Sequence, residues 1–516
     1  MFLTRTPWFG AVSRRARRSH SPRSGQLNVA AQLADLSDRN GWSDRPAFHT
    51  GERSYSHGEV HDLAARAASV LGDRGVTLGE RVLIALPDGI GWVAIFLACA
   101  RIGAVAVPVN PLLTADDHSF MVQDTQARLV VSGVELAERF SGVRWLDVDE
   151  LLDHAAGAVP AAAHPMEGTA ALYAQYTSGT TGRPKAAVHT HAHPLAYYRA
   201  VGVATLGISP DDVALSISKL YFAYGFGNAL VFPLFSGSAA VLIEGRPTPP
   251  TVQEAVARHG VSVIYGVPSA YANLVAEADP SMFRSVRAAV SAGEALRVTL
   301  AEQTARLLGA PVLEQLGSTE AGHAFCANAV DANILGTVGR PTDGYRLQLR
   351  DVEGNPVGDE VQGELWVSGP SLLLEYLNLP AETREVLVDG WLRTYDLAVR
   401  HRDGSYSHVG RVDDMEMVGG ITVSPIEVES LLGNHPDVMD VAVAAVANGR
   451  GATELRAFVV AVEPGQDHRP LRSELEQLAR SQLAPYKVPR DIQFVETLPR
   501  TPTGKLRRFL LREGRW

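Results

Sequence analysis

Residues 176–185 read YTSGTTGRPK and combine glycines, small hydroxyl side chains and one lysine, which together suit an anionic ligand. Gly179 and Gly182 allow the backbone to turn sharply and to approach a ligand closely. Successive N–H groups in such a loop can form a concave anion site, and Lys185 adds a point charge suited to phosphate. The spacing differs from the G-x-x-x-x-G-K-[ST] phosphate loop. The stretch therefore predicts phosphate binding, and a flexible polar loop stays open as the alternative.

The segments that must position this loop alternate between short Val/Ile/Leu runs and alanine-rich amphipathic stretches. Residues 81–87 (RVLIALP) are typical of a buried strand, and residues 57–75 before them are typical of a helix. Strands that alternate with helices of this length predict parallel sheets covered on both faces. After about residue 340, turn-separated alternating strands predict an antiparallel or barrel-like unit. The last hundred residues predict a small α+β domain.

The composition is that of an ordinary globular protein, with 516 residues, a net charge of −10, 46% hydrophobic and 20% charged residues. Because a single core rarely grows beyond about 250–300 residues, this length predicts at least two domains. The acidic balance gives no support for a nucleic-acid partner. Cys99 and Cys326 are the only cysteines, so we expect no disulfide framework and a reducing, cytoplasmic location.

Two segments raise the question of targeting or membrane insertion. Residues 1–26 are basic and lack the apolar core of a secretory signal. They also resemble an organelle transit peptide, but we favour a disordered extension or a start codon placed too early. The most apolar region has its longest uncharged stretch at residues 89–100, which is too short to span a bilayer. We therefore expect no membrane partner.

Further motifs follow the glycine-rich loop, and together they resemble the adenylate-forming superfamily, which contains acyl-CoA ligases, adenylation domains and firefly-type luciferases. The resemblance covers the chain from about residue 27 to its end. Within the superfamily, SKLYFAYGFGNALVFPL and LGSTEAGHAF are most similar to benzoate-type aryl-CoA ligases. The motifs, in order, are SAGEAL (291–296), QLGSTE (315–320), GELWVSGP (363–370), DGWLRTYDLA (389–398), GRVDDM (410–415), GGITVSPIEVE (419–429) and PRTPTGK (499–505).

The resemblance implies an α/β fold in two parts. Residues 27–412 would form a large N-terminal domain with two doubly wound sheets and a small β-barrel-like subdomain. Residues 413–516 would form a small mobile C-terminal α+β domain, with Asp413 as the hinge. It also implies a two-step reaction. A carboxylate attacks the α-phosphate of ATP to give an acyl-adenylate and pyrophosphate, and a thiol, usually that of coenzyme A, then displaces AMP.

By the same resemblance, the glycine-rich loop and the later motifs surround the nucleotide. Asp396 would accept both ribose hydroxyls, because a carboxylate only accepts hydrogen bonds, and Arg411 would contact the nucleotide. A surface ion pair between these two residues is the alternative. Leu316 stands where the family usually has an aromatic ring beside adenine. The other nucleotide-binding residues would be Thr177, Ser178, Gly179, Thr180, Gly182, Gly293, Glu294, Ala295, Gln315, Gly317, Ser318 and Thr319.

Attack by an anion on a polyphosphate requires neutralisation of charge. The resemblance assigns Mg²⁺ to Glu320, with Thr181 nearby, although a glutamate after GST is otherwise a solvated or capping residue. Lys185 and Lys505 would supply cationic charge, Lys505 entering the site only for adenylation. A lysine beside arginines is otherwise a solvated tail. Gly419 and Gly420 would approach the pantetheine arm of coenzyme A after the small domain rotates.

The acyl pocket is implied by family position. Lys219 or His323 would meet the carboxylate, although a lysine can also extend to water and a histidine can be a satisfied core residue. The small side chains in the FAYGFGN stretch leave room for a bulky ring system as well as for benzoate. This stretch lacks the aspartate that holds the ammonium of amino-acid substrates. The pocket walls would be Lys219, Phe222, Ala223, Tyr224, Gly225 and Gly227, with Gly317 and His323.

Two residues depart from the family pattern. Tyr395 stands where the family usually has glycine, so its ring either crowds the nucleotide or points away without effect. Met417 replaces a lysine that is frequent in the family and linked to the thioester step. Three functions therefore stay open: a complete acyl-CoA ligase for an aromatic or polycyclic acid, an enzyme that only transfers a preformed acyl-adenylate to coenzyme A and depends on a separate adenylating partner, and a non-catalytic nucleotide- or acyl-binding module. The oligomeric state is not predicted.

Overall fold

The computed structural model describes residues 27–514, except 141, 178–183, 413–414, 419–420, 448–452, 464, 466 and 501–505, and except the side chains of 417, 421 and 422. The predicted N-terminal extension, residues 1–26, therefore lies outside the described residues. Among the described residues, every helix is too short or too polar to cross a lipid bilayer.

The strands are distributed along the whole described chain. In chain order they are β1 (Pro46–Thr50), β2 (Arg53–Ser56), β3 (Arg81–Ala85), β4 (Val105–Pro108), β5 (Leu129–Ser132), β6 (Trp145–Asp147), β7 (Ala171–Thr177), β8 (Lys185–Thr190), β9 (Val213–Ser216), β10 (Ala239–Leu242), β11 (Val263–Gly266), β12 (Ala288–Ser291), β13 (Val312–Gly317), β14 (Ala324–Ala327), β15 (Arg340–Pro341), β16 (Arg346–Arg350), β17 (Gln362–Ser368), β18 (Glu375–Tyr376), β19 (Leu387–Val388), β20 (Trp391–Arg400), β21 (Tyr406–Arg411), β22 (Glu416–Val418), β23 (Ile421–Val423), β24 (Val438–Ala447), β25 (Thr453–Ala461) and β26 (Asp491–Phe494).

The α-helices mostly separate the strands of the first 310 residues, as the sequence pattern predicts. They are α1 (Val29–Asn40), α2 (His57–Asp73), α3 (Ile90–Ile102), α4 (Ala115–Thr125), α5 (Val148–Gly157), α6 (His193–Tyr197), α7 (Ala223–Phe226), α8 (Phe232–Ser236), α9 (Pro249–His259), α10 (Pro268–Glu277), α11 (Val298–Leu308), α12 (Pro380–Val386), α13 (Pro425–Gly433), α14 (Arg469–Gln482) and α15 (Arg508–Glu513).

Two large sheets form most of the part that precedes residue 411. In the described chain, one sheet has nine strands in the order β15–β14–β13–β12–β11–β9–β10–β1–β2, and the other has seven in the order β18–β8–β7–β4–β3–β5–β6. The strands from β13 to β1 in the first sheet, and from β7 to β6 in the second, pair in parallel. The prediction of parallel sheets from the strand–helix alternation is therefore confirmed.

Helix α3 shows why these sheets form one core. Its side chains from Trp92 to Ala100 are all buried, because the helix is apolar on every face. Trp92 belongs to the same hydrophobic cluster as Phe48 of the nine-stranded sheet and Val82 of the seven-stranded sheet. Apolar side chains of both sheets therefore pack into a common interior, and the loops at the strand ends are left to carry polar groups.

The later sheets differ, as predicted. Strands β16, β17, β19, β20 and β21 pair antiparallel and share no strand with the two large sheets. After residue 416, β24, β25 and β26 form a small sheet with α13 and α14 packed through one hydrophobic cluster and α15 through another. The predicted fold class, a large α/β part with a smaller antiparallel unit and a C-terminal α+β part, is confirmed.

Candidate active site

A cavity of about 910 Å³ opens where the large sheets, the antiparallel sheet and the C-terminal part meet. This volume falls in the ~300–1,000 Å³ range of small-molecule sites. The cavity gathers most of the described residues predicted to bind nucleotide, and it also takes side chains from beyond residue 425. The predicted residues that line it are Thr177, Lys185, Gly293, Glu294, Ala295, Gln315, Leu316, Gly317, Ser318, Thr319, Glu320, Asp396 and Arg411.

The glycine-rich loop joins β7 to β8. Thr177 and Lys185 are directly opposite each other where the two strands pair, so the hairpin presents both at the cavity. The antiparallel pairing fixes the base of the loop through backbone hydrogen bonds. The remaining predicted residues of the loop, Ser178, Gly179, Thr180, Thr181 and Gly182, lie outside the described residues.

Glu320, the predicted magnesium ligand, is held by a tyrosine that the sequence did not single out. The Tyr376 hydroxyl donates to Glu320 Oε1 at 2.7 Å, and Lys185 Nζ lies 5.4 Å from the centre of the Tyr376 ring. Tyr376 reaches this place because β18 pairs with β8, the strand that begins at Lys185. Burial and the nearby Glu320 carboxylate raise the pKa of Tyr376, so its hydroxyl stays a donor.

Three backbone carbonyls of the turn that carries Glu320 accept hydrogen bonds from residues outside the turn. His189 Nε2 donates to the Thr319 carbonyl at 2.8 Å, and the Leu373 amide donates to the Glu320 carbonyl at 2.6 Å. The Ser371 hydroxyl donates to the Ala321 carbonyl at 2.6 Å. Burial lowers the pKa of His189 to about 3, so this histidine is a neutral donor. These three hydrogen bonds hold the turn in place.

The residues present fit a magnesium ion bound chiefly by phosphates. Mg²⁺ in nucleotide sites is usually held by one or two carboxylates together with substrate phosphates and water. Glu320 offers such a carboxylate, because within the described chain hydrogen bonds reach only its Oε1 atom. Lys185 stands nearby to share the neutralisation of phosphate charge.

The predicted adenine loop follows β12. Gly293 has φ +92°, a conformation that a side chain would strain. Facing it, Glu314 on β13 accepts a hydrogen bond from the Leu296 amide at 3.0 Å, and burial raises the pKa of Glu314 to about 7. Glu314 also lines the cavity, and sequence reasoning missed it.

Asp396 is a buried cavity residue, so the alternative of a surface ion pair does not apply. His408 Nε2 lies 3.3 Å and Arg411 Nη1 lies 3.4 Å from Asp396 Oδ1. Burial alone would raise the pKa of Asp396, but the hydrogen bond from His408 and the charges of His408 and Arg411 lower it below its ordinary value. The carboxylate is therefore ionised and available as an acceptor.

Tyr395 has φ +60°, the left-handed conformation that favours glycine at this position of the family pattern. The strand bulges here, since Trp366 pairs with Arg393 and Glu364 pairs with Leu397. The Tyr395 hydroxyl donates to Glu385 at 2.7 Å, and the Arg393 guanidinium lies 4.5 Å from its ring centre. These contacts direct the ring along the cavity wall.

Of the predicted acyl pocket residues, Gly317 lines this cavity, and the others are absent from its lining. The Tyr224 hydroxyl donates to the Val290 carbonyl at 3.0 Å. His323 is buried, donates to Asn228 through Nε2 at 3.1 Å, and stacks 5.7 Å from Tyr197 between ring centres. Burial lowers the pKa of His323 to about 3, so this histidine is neutral and offers no charge to a carboxylate. Helix α7 begins at Ala223 in the same segment, and Phe222 is its N-cap residue.

The glycines of this segment do not create free volume, contrary to the expectation from sequence. A Cβ atom on Gly225 would lie 2.2 Å from the Lys219 carbonyl oxygen, and one on Gly227 would lie 2.2 Å from His323 Cδ2. The neighbours already occupy the space that the missing side chains leave. These glycines therefore permit close packing and give no room for a bulky ring system.

Lys219 is also placed differently from the expectation. Its Nζ donates to the Gly245 carbonyl at 2.7 Å and to the Ile243 carbonyl, and it lies 3.8 Å from Asp88 Oδ2. Lys219 is absent from the residues that line the described cavity. Its charge is therefore committed to Asp88 and to backbone carbonyls, and it is unavailable to a substrate carboxylate.

The predicted moving parts, Asp413, Gly419, Gly420 and Lys505, lie outside the described residues, as does the Met417 side chain. The C-terminal part nevertheless reaches the cavity. Further lining residues include Tyr376, Glu385, His408 and Arg508, which lie outside the motifs, and Glu429 and Arg500, which lie inside two motifs but were not predicted as site residues. No local pattern marks the four residues outside the motifs, because tertiary pairing alone brings them to the site.

Residues 37–377 match the AMP-binding enzyme family, and residues 427–505 match the AMP-binding enzyme C-terminal domain. The p-hydroxybenzoic acid–AMP ligase FadD22 of Mycobacterium tuberculosis is 41% identical over 487 residues, which cover 94% of this chain and 69% of the relative. The 4-hydroxybenzoate–CoA/benzoate–CoA ligase of Rhodopseudomonas palustris is 36% identical over 509 residues, 94% of each protein.

Among solved structures, a benzoate CoA ligase from Burkholderia xenovorans superposes with a TM-score of 0.87 at 35% identity, covering 94% of this chain and 100% of the other. The matches span both the large α/β part and the C-terminal part. The resemblance drawn from the motifs is thereby confirmed. The chain belongs to the AMP-binding enzyme family and is an adenylate-forming ligase.

Proposed function

We propose that this protein activates a benzoate-type aryl carboxylic acid with ATP and transfers the aryl group to coenzyme A. The observation that carries the proposal is the single cavity that brings Lys185 and Glu320 together with Asp396 and Arg411. Phosphate-neutralising groups and a ribose acceptor are what an adenylate requires. Relatives named as benzoate, hydroxybenzoate and anthranilate ligases support the aryl class of acid.

In the first step, a carboxylate oxygen of the acid attacks the α-phosphorus, and the bond to the bridging oxygen breaks as pyrophosphate leaves. Lys185 and Lys505 neutralise the developing phosphate charge, and Asp396 holds the ribose so that the α-phosphorus faces the acid. Bound Mg²⁺, held by Glu320 with Thr181 nearby, would neutralise further phosphate charge. Tyr376 keeps the Glu320 carboxylate oriented.

In the second step, a thiolate attacks the carbonyl carbon of the adenylate. The bond from this carbon to the oxygen on phosphorus breaks, and AMP leaves with that oxygen. The predicted approach for the pantetheine arm is along Gly419 and Gly420, after rotation at Asp413. The thiol proton passes to solvent when the thiolate forms. We place the boundary between the two moving parts at residues 412–413.

A single aromatic ring with a polar substituent fits the acyl end better than a polycyclic acid. The space beside Gly225 and Gly227 is already filled. Within the described chain, His323 Nδ1 and Asn228 Nδ2 are buried without hydrogen-bond partners. Buried polar atoms usually find partners, and a ring hydroxyl or amino group would supply one. Rejection of an acid that lacks this group would follow from the unpaired protein atoms.

A second candidate is an aryl–AMP ligase that delivers the adenylate to a thiol other than coenzyme A. It is favoured by the similarity to an enzyme named as an AMP ligase and by Met417, which replaces the lysine linked to the thioester step. The hypothesis of an enzyme without adenylation rested on Tyr395. The Tyr395 side chain contacts Glu385 and Arg393, and Asp396 keeps its own partners, so these contacts do not favour that hypothesis. A binding module would not require the full set of charged residues.

The test is acid-dependent release of pyrophosphate from ATP with benzoate, 3- and 4-hydroxybenzoate, anthranilate, a polycyclic acid and a fatty acid. Each reaction is repeated with coenzyme A, and thioester is detected by mass spectrometry. We expect release with one or more monocyclic aryl acids and formation of the matching thioester. Release without thioester would support the AMP-ligase candidate. Consumption of a synthetic aryl-adenylate without any turnover of ATP would overturn the adenylation step.

A further inference from the structure

The segment that follows the predicted adenine loop carries contacts to the C-terminal part. Arg297 donates to the Gly433 carbonyl and, at 3.0 Å, to the Met439 carbonyl. Thr299 Oγ1 donates to Asn434 Oδ1 at 3.2 Å. These contacts link the C-terminal part to the segment that directly follows residues 293–295.

Arg500 extends this contact into the adenine loop itself. Its Nη1 atom lies 2.8 Å from Glu294 Oε1, and its Nη2 atom lies 2.8 Å from Asp440 Oδ2. The side chains of Arg500 and Glu294 are 25% and 18% exposed, so solvent screens this pair little. Removal of Arg500 would leave the largely buried Glu294 carboxylate without this cation, which is costly.

Arg500 also stands at the base of the segment that carries Lys505. Arg500 and Leu506 form an antiparallel bridge, and the Arg507 amide donates to the Pro499 carbonyl at 2.8 Å. These contacts fix both ends of residues 501–505, which lie outside the described residues. Both Arg500 and Leu506 line the cavity.

We propose that Arg500 is a positioning residue for adenylation. By pairing with Glu294, it docks the described residues on either side of 501–505 against the adenine loop. The pair joins the large and small domains, and it must break when the small domain rotates to admit the thiol. The first half-reaction therefore depends on Arg500 and the second does not. This inference rests on the proposed function.

The test compares Arg500→Gln, Glu294→Gln and the double variant with wild type. The first half-reaction is followed as ATP–pyrophosphate exchange, and the second as transfer to coenzyme A from a synthetic aryl-adenylate. We expect each single variant to slow exchange about tenfold or more, and the double variant to be no worse than either single one, because the two residues act as a pair. In Arg500→Gln, transfer should change less than about twofold. Arg472→Gln, which breaks a pair with Asp491 away from the cavity, is the matched control.

A second readout does not require activity. Hydrogen–deuterium exchange of segments 293–300 and 433–441 should increase in Arg500→Gln and stay unchanged in Arg472→Gln. The inference would be overturned if Arg500→Gln changed neither ATP–pyrophosphate exchange nor hydrogen–deuterium exchange. An equal loss of both half-reactions would also overturn it. If wild type shows no ATP–pyrophosphate exchange with any acid, the proposed function fails, and the deuterium measurement still decides whether Arg500 docks the domains.

Discussion

The nucleotide end and the acyl end of the site are built differently. At the nucleotide end, Lys185 begins β8, Glu320 lies on a turn and Asp396 lies within β20. A ring contact holds Lys185, a hydrogen bond holds Glu320, and an ion pair holds Asp396. At the acyl end, Gly227 and His323 are packed so closely that volume decides what can bind. The first end is therefore sensitive to the loss of a charge, and the second to the addition of an atom.

The largest effect is expected at the nucleotide end from Glu320→Gln. This change keeps the shape of the side chain but removes the charge proposed to bind Mg²⁺, so pyrophosphate release should fall about a hundredfold or more, equivalent to ~3 kcal/mol. The rate is measured over a range of Mg²⁺ concentrations. Glu353→Gln, on an exposed turn, is the control. Full activity of Glu320→Gln at low Mg²⁺ would contradict the assignment.

A pH effect on stability is expected from Glu314. Its pKa is raised to about 7 in the folded protein and is ~4.3 in an unfolded chain. Between these values the folded state binds more protons, so stability falls as pH rises from about 4.5 to about 7. Relative to Glu314→Gln, wild type should lose roughly 2–3 kcal/mol over this interval. The urea midpoint of each protein is measured at pH 4.5 and at pH 8. An equal change of the midpoint in wild type and in Glu314→Gln would refute this prediction.

At the acyl end, Gly227→Ala tests the close packing. The new Cβ would lie 2.2 Å from His323 Cδ2, and His323 is itself confined by Tyr197 and Phe232. We expect a loss of about 1–3 kcal/mol in stability and a higher KM for the acid, with the KM for ATP unchanged. Thermal unfolding and steady-state kinetics measure both. Gly72→Ala, with no atom within 4 Å of its added Cβ, should behave as wild type.

Tyr376→Phe distinguishes the role of the Tyr376 hydroxyl from that of its ring. The variant keeps the ring beneath Lys185 and loses only the bond to Glu320, so we expect about a tenfold loss of adenylation, with partial recovery at high Mg²⁺. Tyr406→Phe, which changes a buried tyrosine outside the cavity lining, is its control. An equal loss in both variants would indicate a general effect of removing buried hydroxyls.

The smallest effect is expected from Tyr395→Gly. Glycine relieves the left-handed backbone, worth about 1 kcal/mol, but loses the contacts with Glu385 and Arg393. We expect little net change in stability and less than a threefold change in pyrophosphate release. A large gain in adenylation would instead show that the Tyr395 ring crowds the nucleotide.

The alternation of strands and helices follows from local sequence. The meeting of Lys185, Glu320 and Asp396 in one cavity was instead predicted from the resemblance to the adenylate-forming superfamily, through the motifs that contain these residues. The presence of Tyr376 and His408 in the cavity could not be predicted, because only the pairing of β18 with β8 and of β20 with β21 brings them to it. The close packing of His323 against Gly227 could not be predicted, because a sequence shows that a side chain is missing but not which neighbour fills its place.

The central claim is that a carboxylate oxygen of an aryl acid becomes bonded to the α-phosphorus of ATP. The most direct measurement uses 4-hydroxybenzoate labelled with ¹⁸O in its carboxyl group, together with ATP, Mg²⁺ and coenzyme A. The account predicts that AMP carries one ¹⁸O atom and that pyrophosphate carries none. Label in pyrophosphate or in inorganic phosphate, or unlabelled AMP alongside thioester, would contradict it.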